Sequence, residues 1–183
     1  KTVSEYKPGE VLISAEEIDG RLEEISEEIN TKYKDQELVI IAIMKGSYIL
    51  LADLTRKLHK KGLTNFIVDF IDIKSYGSST ESSREPQIIK DVEISLKDKN
   101  VLLVEDILDT GHTLNTVYQL IKNKFVSSIK TFALISKPER REVEFEAEYV
   151  GFVIPNIWIQ GYGLDTDEKG RGEAGIIVGP VYY

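Results

Sequence analysis

The run Val101-Leu-Leu-Val-Glu-Asp-Ile-Leu-Asp-Thr-Gly-His-Thr113 joins an aliphatic segment to a helical one through three carboxylates and a Thr-Gly turn. Val101 to Glu105 has the composition of a short buried strand, and the apolar spacing of Val117, Leu120 and Ile121 beyond the turn is helical. In an open α/β sheet, ligands sit beyond the carboxyl ends of strands, where the next helix offers free backbone N–H groups to an anion. Gly111 lets the backbone approach that anion, and Thr110 and Thr113 add hydroxyl donors. Glu105 and Asp106 are acceptors, so beside the anion they suit sugar hydroxyls or a hydrated Mg²⁺. A phosphorylated sugar satisfies both halves. Asp109 and Thr110 taken alone read better as the cap of an ordinary helix, and only the whole constellation favours a binding site.

The flanking sequence repeats the strand-then-helix order. Ile18, Leu22, Ile25 and Ile29 form an amphipathic stripe from a Ser14/Glu17 capping box to about Tyr33. Leu38-Val-Ile-Ile-Ala-Ile-Met44 is mostly aliphatic and stops at Lys45-Gly46, which fits a strand buried on both faces and ending at a sharp turn. Tyr48 to His59 reads as a helix, and residues 65–74, 131–135 and 149–153 read as strands. This alternation predicts an α/β fold, a parallel sheet flanked by helices. The polar run from Ser75 to Pro86 is too long for an ordinary connection; it reads equally as a lid or as a surface excursion.

The 183 residues, 42% hydrophobic and 30% charged, suit one buried core, and no repeat or linker divides them. A net charge of -8 gives no global electrostatic reason to bind nucleic acid, and none is expected as a partner. The chain has no cysteine, which excludes disulfides and thiolate metal sites. No apolar stretch approaches membrane-spanning length and no signal-peptide pattern opens the sequence, so no membrane partner and a cytoplasmic location are expected. His59 and His112 lack metal-ligand spacing with other candidate ligands.

Val101 to Thr113 resembles the phosphoribosyl pyrophosphate signature of type I phosphoribosyltransferases, in the Glu-Asp-Ile-x-Asp-Thr-Gly form of the hypoxanthine-guanine branch. Met44-Lys-Gly46 is similar to that branch's pyrophosphate loop, Ser75-Tyr-Gly77 to its catalytic lid, and Lys137 to its purine-reading lysine. Val150 to Pro155 and Gly161 to Asp165 are similar to its base-binding hood. The matches run in the family's order from about residue 38 to 171. Three positions depart from the family's pattern, which commonly has Phe at Trp158, Tyr at Thr166 and an aromatic residue at Gly170.

The resemblance implies a single domain, with a flexible lid at about residues 75–90 and a small base-binding hood from the two ends of the chain. It implies Mg²⁺-dependent transfer of a phosphoribosyl group from phosphoribosyl pyrophosphate to a 6-oxopurine base, in a homodimer or homotetramer. On that footing Asp109 is the general base, Glu105 and Asp106 hold the ribose, and Asp109, Thr110, Gly111, His112 and Thr113 surround the 5′-phosphate. Lys45, Gly46 and Arg171 bind pyrophosphate, a cis peptide at Lys45 presenting its amide. Lys137, Trp158, Ile159 and Asp165 bind the purine; Ser75 and Tyr76 seal the site; and Glu105, Asp106 and Asp165 serve the metal. Judged alone, Lys45-Gly46 is an ordinary turn, Lys137 a solvated lysine and Trp158 a core aromatic. A regulatory protein that binds the same ligands without catalysis is the competing function. A flavodoxin-like module leaves the Glu105, Asp106, Asp109 spacing unexplained, and a Walker-type ATPase lacks its loop.

Overall fold

The computed structural model describes residues 1–74 and 86–183. In chain order the elements are β1 (Val11–Ile13), α1 (Ala15–Tyr33), β2 (Leu38–Met44), α2 (Tyr48–Lys60), β3 (Phe66–Lys74) and β4 (Gln87–Lys90). They continue with β5 (Asn100–Leu108), α3 (His112–Lys122), β6 (Ser128–Ser136), β7 (Tyr149–Val153), β8 (Ile159–Gln160) and β9 (Ile176–Val178). Six strands form one sheet in the order β4-β3-β2-β5-β6-β7, parallel except at the β4 edge; β1, β9 and β8 form a second, antiparallel sheet.

Burial explains the large sheet. Successive residues of β2 turn to opposite faces, and both faces are covered: Leu38, Ile40 and Ala42 meet α1 and α2, while Val39, Ile41 and Ile43 join the cluster that contains Leu114, Val117 and Ile121 of α3. Only an all-aliphatic strand satisfies both environments. Ser14 caps α1 as expected, accepting from the Glu17 amide at 3.1 Å, and Ile18, Leu22, Ile25, Ile29 and Tyr33 form its buried stripe. No helix among the described residues is long and apolar enough to cross a membrane.

One expectation about segment limits needs correction. β5 does not stop at Glu105 but runs through both carboxylates to Leu108, because β6 pairs with it as far as Leu108 opposite Ser136. Pairing outweighs the low strand propensity of two acids. Gln87–Lys90, within the span of about residues 75–90 expected for the lid, pair antiparallel with β3, Ile88 opposite Ile73. Residues 75–85, with the expected lid residues Ser75 and Tyr76, lie outside the described residues.

Candidate active site

Three chain segments meet beyond the carboxyl ends of β2, β5 and β6. The first is the turn after β5. Gly111 takes φ +91° and stands at the N-cap of α3, where it offers no capping side chain; apart from a long contact of 3.5 Å from the His112 amide to Thr110 Oγ1, the leading amides of the helix face the site. A Cβ on Gly111 would come within 2.7 Å of Val143 Cγ2 and 3.2 Å of Arg141 Cδ, so the turn both needs the left-handed conformation and lies pressed on the 141–143 segment. His112 turns to Glu142, its Nε2 lying 2.7 Å from the carboxylate.

The carboxylates before that turn occupy different environments. Glu105 is buried, and burial together with the negative charge of Asp106 pushes its pKa well above the ordinary carboxyl value. Asp106 is less enclosed and faces the second segment: a Cβ on Gly46 would overlap its carboxylate. The loop after β2 therefore lies directly against the acids of β5. The Met44–Lys45 peptide is cis, as the resemblance implies. Asp109 carries a cation of its own, with Arg140 Nε donating to its Oδ1 at 3.0 Å.

Lys137, at the end of β6, is 6% exposed rather than a solvated lysine. Burial lowers its pKa, with Arg140 acting in the same direction and Asp109 opposing. Its ammonium is thus partly stripped of water and held for a partner that can accept a hydrogen bond.

The third segment is 161–171, after β8. Gly163, at φ +99°, approaches so closely that a Cβ there would overlap the Gly46 carbonyl. Arg171 donates to the Gly163 carbonyl at 2.7 Å and lies 3.6 Å from Asp165 and 3.4 Å from Glu168, while Lys45 Nζ pairs with Glu168 at 3.0 Å. The expected pyrophosphate residues Lys45, Gly46 and Arg171 are gathered in one place. Trp158 is 56% exposed, with the backbone of buried Ile159 beside it in β8.

The expected metal residues Glu105, Asp106 and Asp165 are not gathered in the same way. Among the described residues, no three carboxylate or histidine side chains form a metal cage. Asp165 is committed instead to the Glu168 amide at 2.8 Å and to Arg171.

Arg141 carries a role that no sequence pattern announced. It donates to the Leu108 carbonyl at 3.1 Å, Ser136 Oγ at 2.8 Å and the Phe145 carbonyl at 3.0 Å, and also to the Asp109 carbonyl, tying the ends of β5 and β6 beneath the turn. In sequence it is one of two adjacent arginines amid acids, a pattern that reads as a solvated face. The only available signal was its place four residues after Lys137.

Known proteins share the sequence and the overall structure of this chain. Residues 14–167 match the model of the phosphoribosyl transferase domain. The hypoxanthine-guanine phosphoribosyltransferase of Staphylococcus epidermidis is 42% identical over 161 residues, covering 88% of each chain. The bifunctional protein TilS/HprT of Listeria monocytogenes is 40% identical over 161 residues, but the chain spans only 24% of its length. Among solved structures, a hypoxanthine phosphoribosyltransferase from Staphylococcus aureus superposes with TM-score 0.86 at 38% identity, covering 93% of this chain and 91% of that one. A Trypanosoma cruzi hypoxanthine phosphoribosyl transferase gives TM-score 0.87 at 37% identity, over 95% and 93%. Sequence and overall structure agree, and the chain belongs to the phosphoribosyl transferase family, in its hypoxanthine-guanine branch.

Proposed function

We propose that the protein transfers the phosphoribosyl group of phosphoribosyl pyrophosphate to hypoxanthine or guanine, a purine-salvage reaction that releases pyrophosphate. The observation that carries this reading is the contact between the Asp106 carboxylate and the Gly46 loop, beside the uncapped start of α3. One place thus offers amides for a 5′-phosphate, acids for a sugar and a cationic loop for pyrophosphate.

In this reading the amides and hydroxyls from Thr110 to Thr113 take the 5′-phosphate, while Glu105 and Asp106 face the ribose. As the bond from the anomeric carbon to pyrophosphate lengthens, the sugar becomes cationic and the acid pair supplies opposing charge. The raised pKa of Glu105 is relieved there, since a neighbouring cation favours the ionised form. Lys45, Gly46 and Arg171 receive the leaving pyrophosphate. Asp109 takes the proton from the attacking ring nitrogen, turning from Arg140 to do so. Lys137 donates to the exocyclic oxygen of the base. An adenine amino group would leave that buried donor facing another donor, at a cost of about 1–3 kcal/mol.

The donor set fits Mg²⁺ without a protein cage, because this ion keeps several waters and takes only one or two carboxylates alongside substrate phosphates. Asp106 and Glu105, adjacent on β5, are the residues that would hold it, Asp165 being engaged by the Glu168 amide and Arg171, and when bound it would neutralise charge on the leaving group.

The test is nucleoside monophosphate formation from phosphoribosyl pyrophosphate with hypoxanthine, guanine, xanthine, adenine or uracil, with Mg²⁺ and with a chelator. Product from a 6-oxopurine, lost on chelation, is expected. Phosphoribosyl pyrophosphate binding with no product from any base would leave the non-catalytic alternative.

A further inference from the structure

Two of the residues that depart from the family's pattern, Trp158 and Thr166, are joined in one hydrogen-bonded chain. The Trp158 indole N–H donates to Thr166 Oγ1 at 2.9 Å. Thr166 donates in turn to Gln160 Oε1 at 2.7 Å, and the Val181 amide donates to the same oxygen at 2.8 Å. The polarity of this chain is fixed by its ends. An indole N–H and a backbone N–H can only donate, so the Gln160 oxygen must point inward and the Thr166 hydroxyl must both accept and donate. Gln160 is fully buried, Thr166 is 5% exposed, and among the described residues the Gln160 Nε2 has no hydrogen-bond partner. Such an unpaired donor is costly, which argues that the orientation of this amide is set by the acceptor at its other end.

The third departure, Gly170, makes room for the chain: a Cβ there would lie 2.6 Å from Gln160 Nε2. On another side, a Cβ on Gly179 would lie 2.6 Å from Trp158 Cδ1 and 2.9 Å from Gln160 Oε1, and the Gly179 amide donates to the Trp158 carbonyl at 2.9 Å. The indole is therefore held at its nitrogen by Thr166 and along its edge by the segment after β9. Most of the remaining ring surface is open.

We propose that Thr166 and Gln160 are positioning residues for the purine: they lock the Trp158 indole so that it meets the base through its face alone. The inference rests on the expectation that Trp158 binds the purine, which its exposed flat ring would do by stacking on the base. Its chemical content is specific. Because the indole N–H is already engaged, Trp158 contributes affinity to any flat base but no polar selection, and selection falls to Lys137 and the backbone of Ile159. Loosening the indole weakens all 6-oxopurines by a similar factor, leaving their ranking unchanged.

Thr166→Val keeps the shape and removes the hydroxyl. A buried hydrogen bond of ordinary strength corresponds to a factor of about 3–10 in binding. The expected result is a rise of that size in KM for hypoxanthine and for guanine alike, with kcat and the KM for phosphoribosyl pyrophosphate held, and restoration by Thr166→Ser. In the Trp158→Phe background, which has no indole donor, Thr166→Val is expected to add nothing further, as a double-mutant cycle requires if Thr166 acts through the indole. Trp158 is the sole tryptophan. Its fluorescence anisotropy in the unliganded protein is expected to fall in Thr166→Val, a readout that survives even if the transferase reading fails. Thr166→Ala serves in the same assays should the valine variant not fold. Unchanged anisotropy would remove the lock. Lowered anisotropy with unchanged base KM, or equal losses for base and phosphoribosyl pyrophosphate, would leave the network a structural feature with no part in base binding.

Discussion

β2 and β5 reach the site as extended strands, with Leu38 to Ile43 and Val101 to Val104 almost completely buried. The segment that covers them is built in another way. Six of the ten residues from 161 to 170 have positive φ: Gly161, Tyr162, Gly163, Asp167, Glu168 and Gly170. It is tied down by hydrogen bonds and ion pairs, such as Tyr162 to Asp53 of α2, Trp158 to Thr166 and Arg171 to the Gly163 carbonyl. The floor is held by side chains that face away from the ligand, so its polar residues are free to serve chemistry. The cover is held by backbone conformations and polar contacts that lie in the site itself. Substitution in the floor is therefore expected to separate activity from stability, and substitution in the cover to move both.

Asp109→Asn gives the largest effect and tests the floor. The amide keeps the shape of the carboxylate but is a poor base, and general-base catalysis is typically worth roughly 10²–10⁴-fold. Single-turnover kinetics with hypoxanthine are expected to show a loss of that order, with phosphoribosyl pyrophosphate still bound and the melting temperature close to that of the parent. A chemical rate equal to the parent's would remove Asp109 from the base role.

Gly163→Ala tests the cover. Its Cβ would be forced into the left-handed region and into the Gly46 carbonyl, and a residue held in such a region costs on the order of 1–3 kcal/mol. The melting temperature is expected to drop by several degrees and the KM for phosphoribosyl pyrophosphate to rise, because the displaced neighbour is the pyrophosphate loop. Loss of stability without any change in that KM would show that cover and loop are not mechanically joined.

These two regions also differ in what the sequence disclosed. Ile18 to Ile29 and Leu38 to Met44 were legible because burial on a helix or a strand imposes a period on residue type. Asp109-Thr110-Gly111 was legible because a left-handed turn before a helix narrows the choice of residue. The small sheet was not, since strands of three, two and three residues carry no period. Arg141 and Gln160 escaped for a different reason: each has a partner far along the chain, the Leu108 carbonyl 33 residues from Arg141 and the Val181 amide 21 residues from Gln160. A polar residue announces its own chemistry but not the distant group that satisfies it.

Lys137→Met is expected to exchange function for stability within the floor. Burial depresses the folded-state pKa of Lys137 below 10.5, so at neutral pH the folded protein bears a charge that its surroundings disfavour. The sign follows from proton counts. Between the lowered folded value and 10.5 the unfolded chain binds the proton more tightly, so this residue's penalty is full at neutral pH and fades as pH rises through that window. The methionine variant is expected to melt higher than the parent at pH 7, with the gap narrowing toward pH 10, while KM for 6-oxopurines rises about tenfold. A lower melting temperature at pH 7 would mean that the ammonium has a stabilising partner.

Glu168→Gln gives the smallest effect and addresses the junction of the two regions. In the unliganded protein Glu168 pairs with Lys45 at 3.0 Å and with Arg171 at 3.4 Å, the two side-chain cations assigned to pyrophosphate. The Lys45 contact, then that of Arg171, lowers the pKa of Glu168, so the carboxylate is ionised at neutral pH and competes with the incoming anion. Both the carboxylate and Lys45 are mostly exposed, where water and salt screen an ion pair and little stability rests on it. Neutralising Glu168 is therefore expected to leave the melting temperature unchanged and to tighten pyrophosphate by about two- to fivefold, a gain that fades as ionic strength rises. Calorimetric titration with pyrophosphate and Mg²⁺ at low and high salt reads the effect directly. Weaker binding at both salt concentrations would give Glu168 the opposite role, that of a strut holding Lys45 and Arg171 in place for the anion.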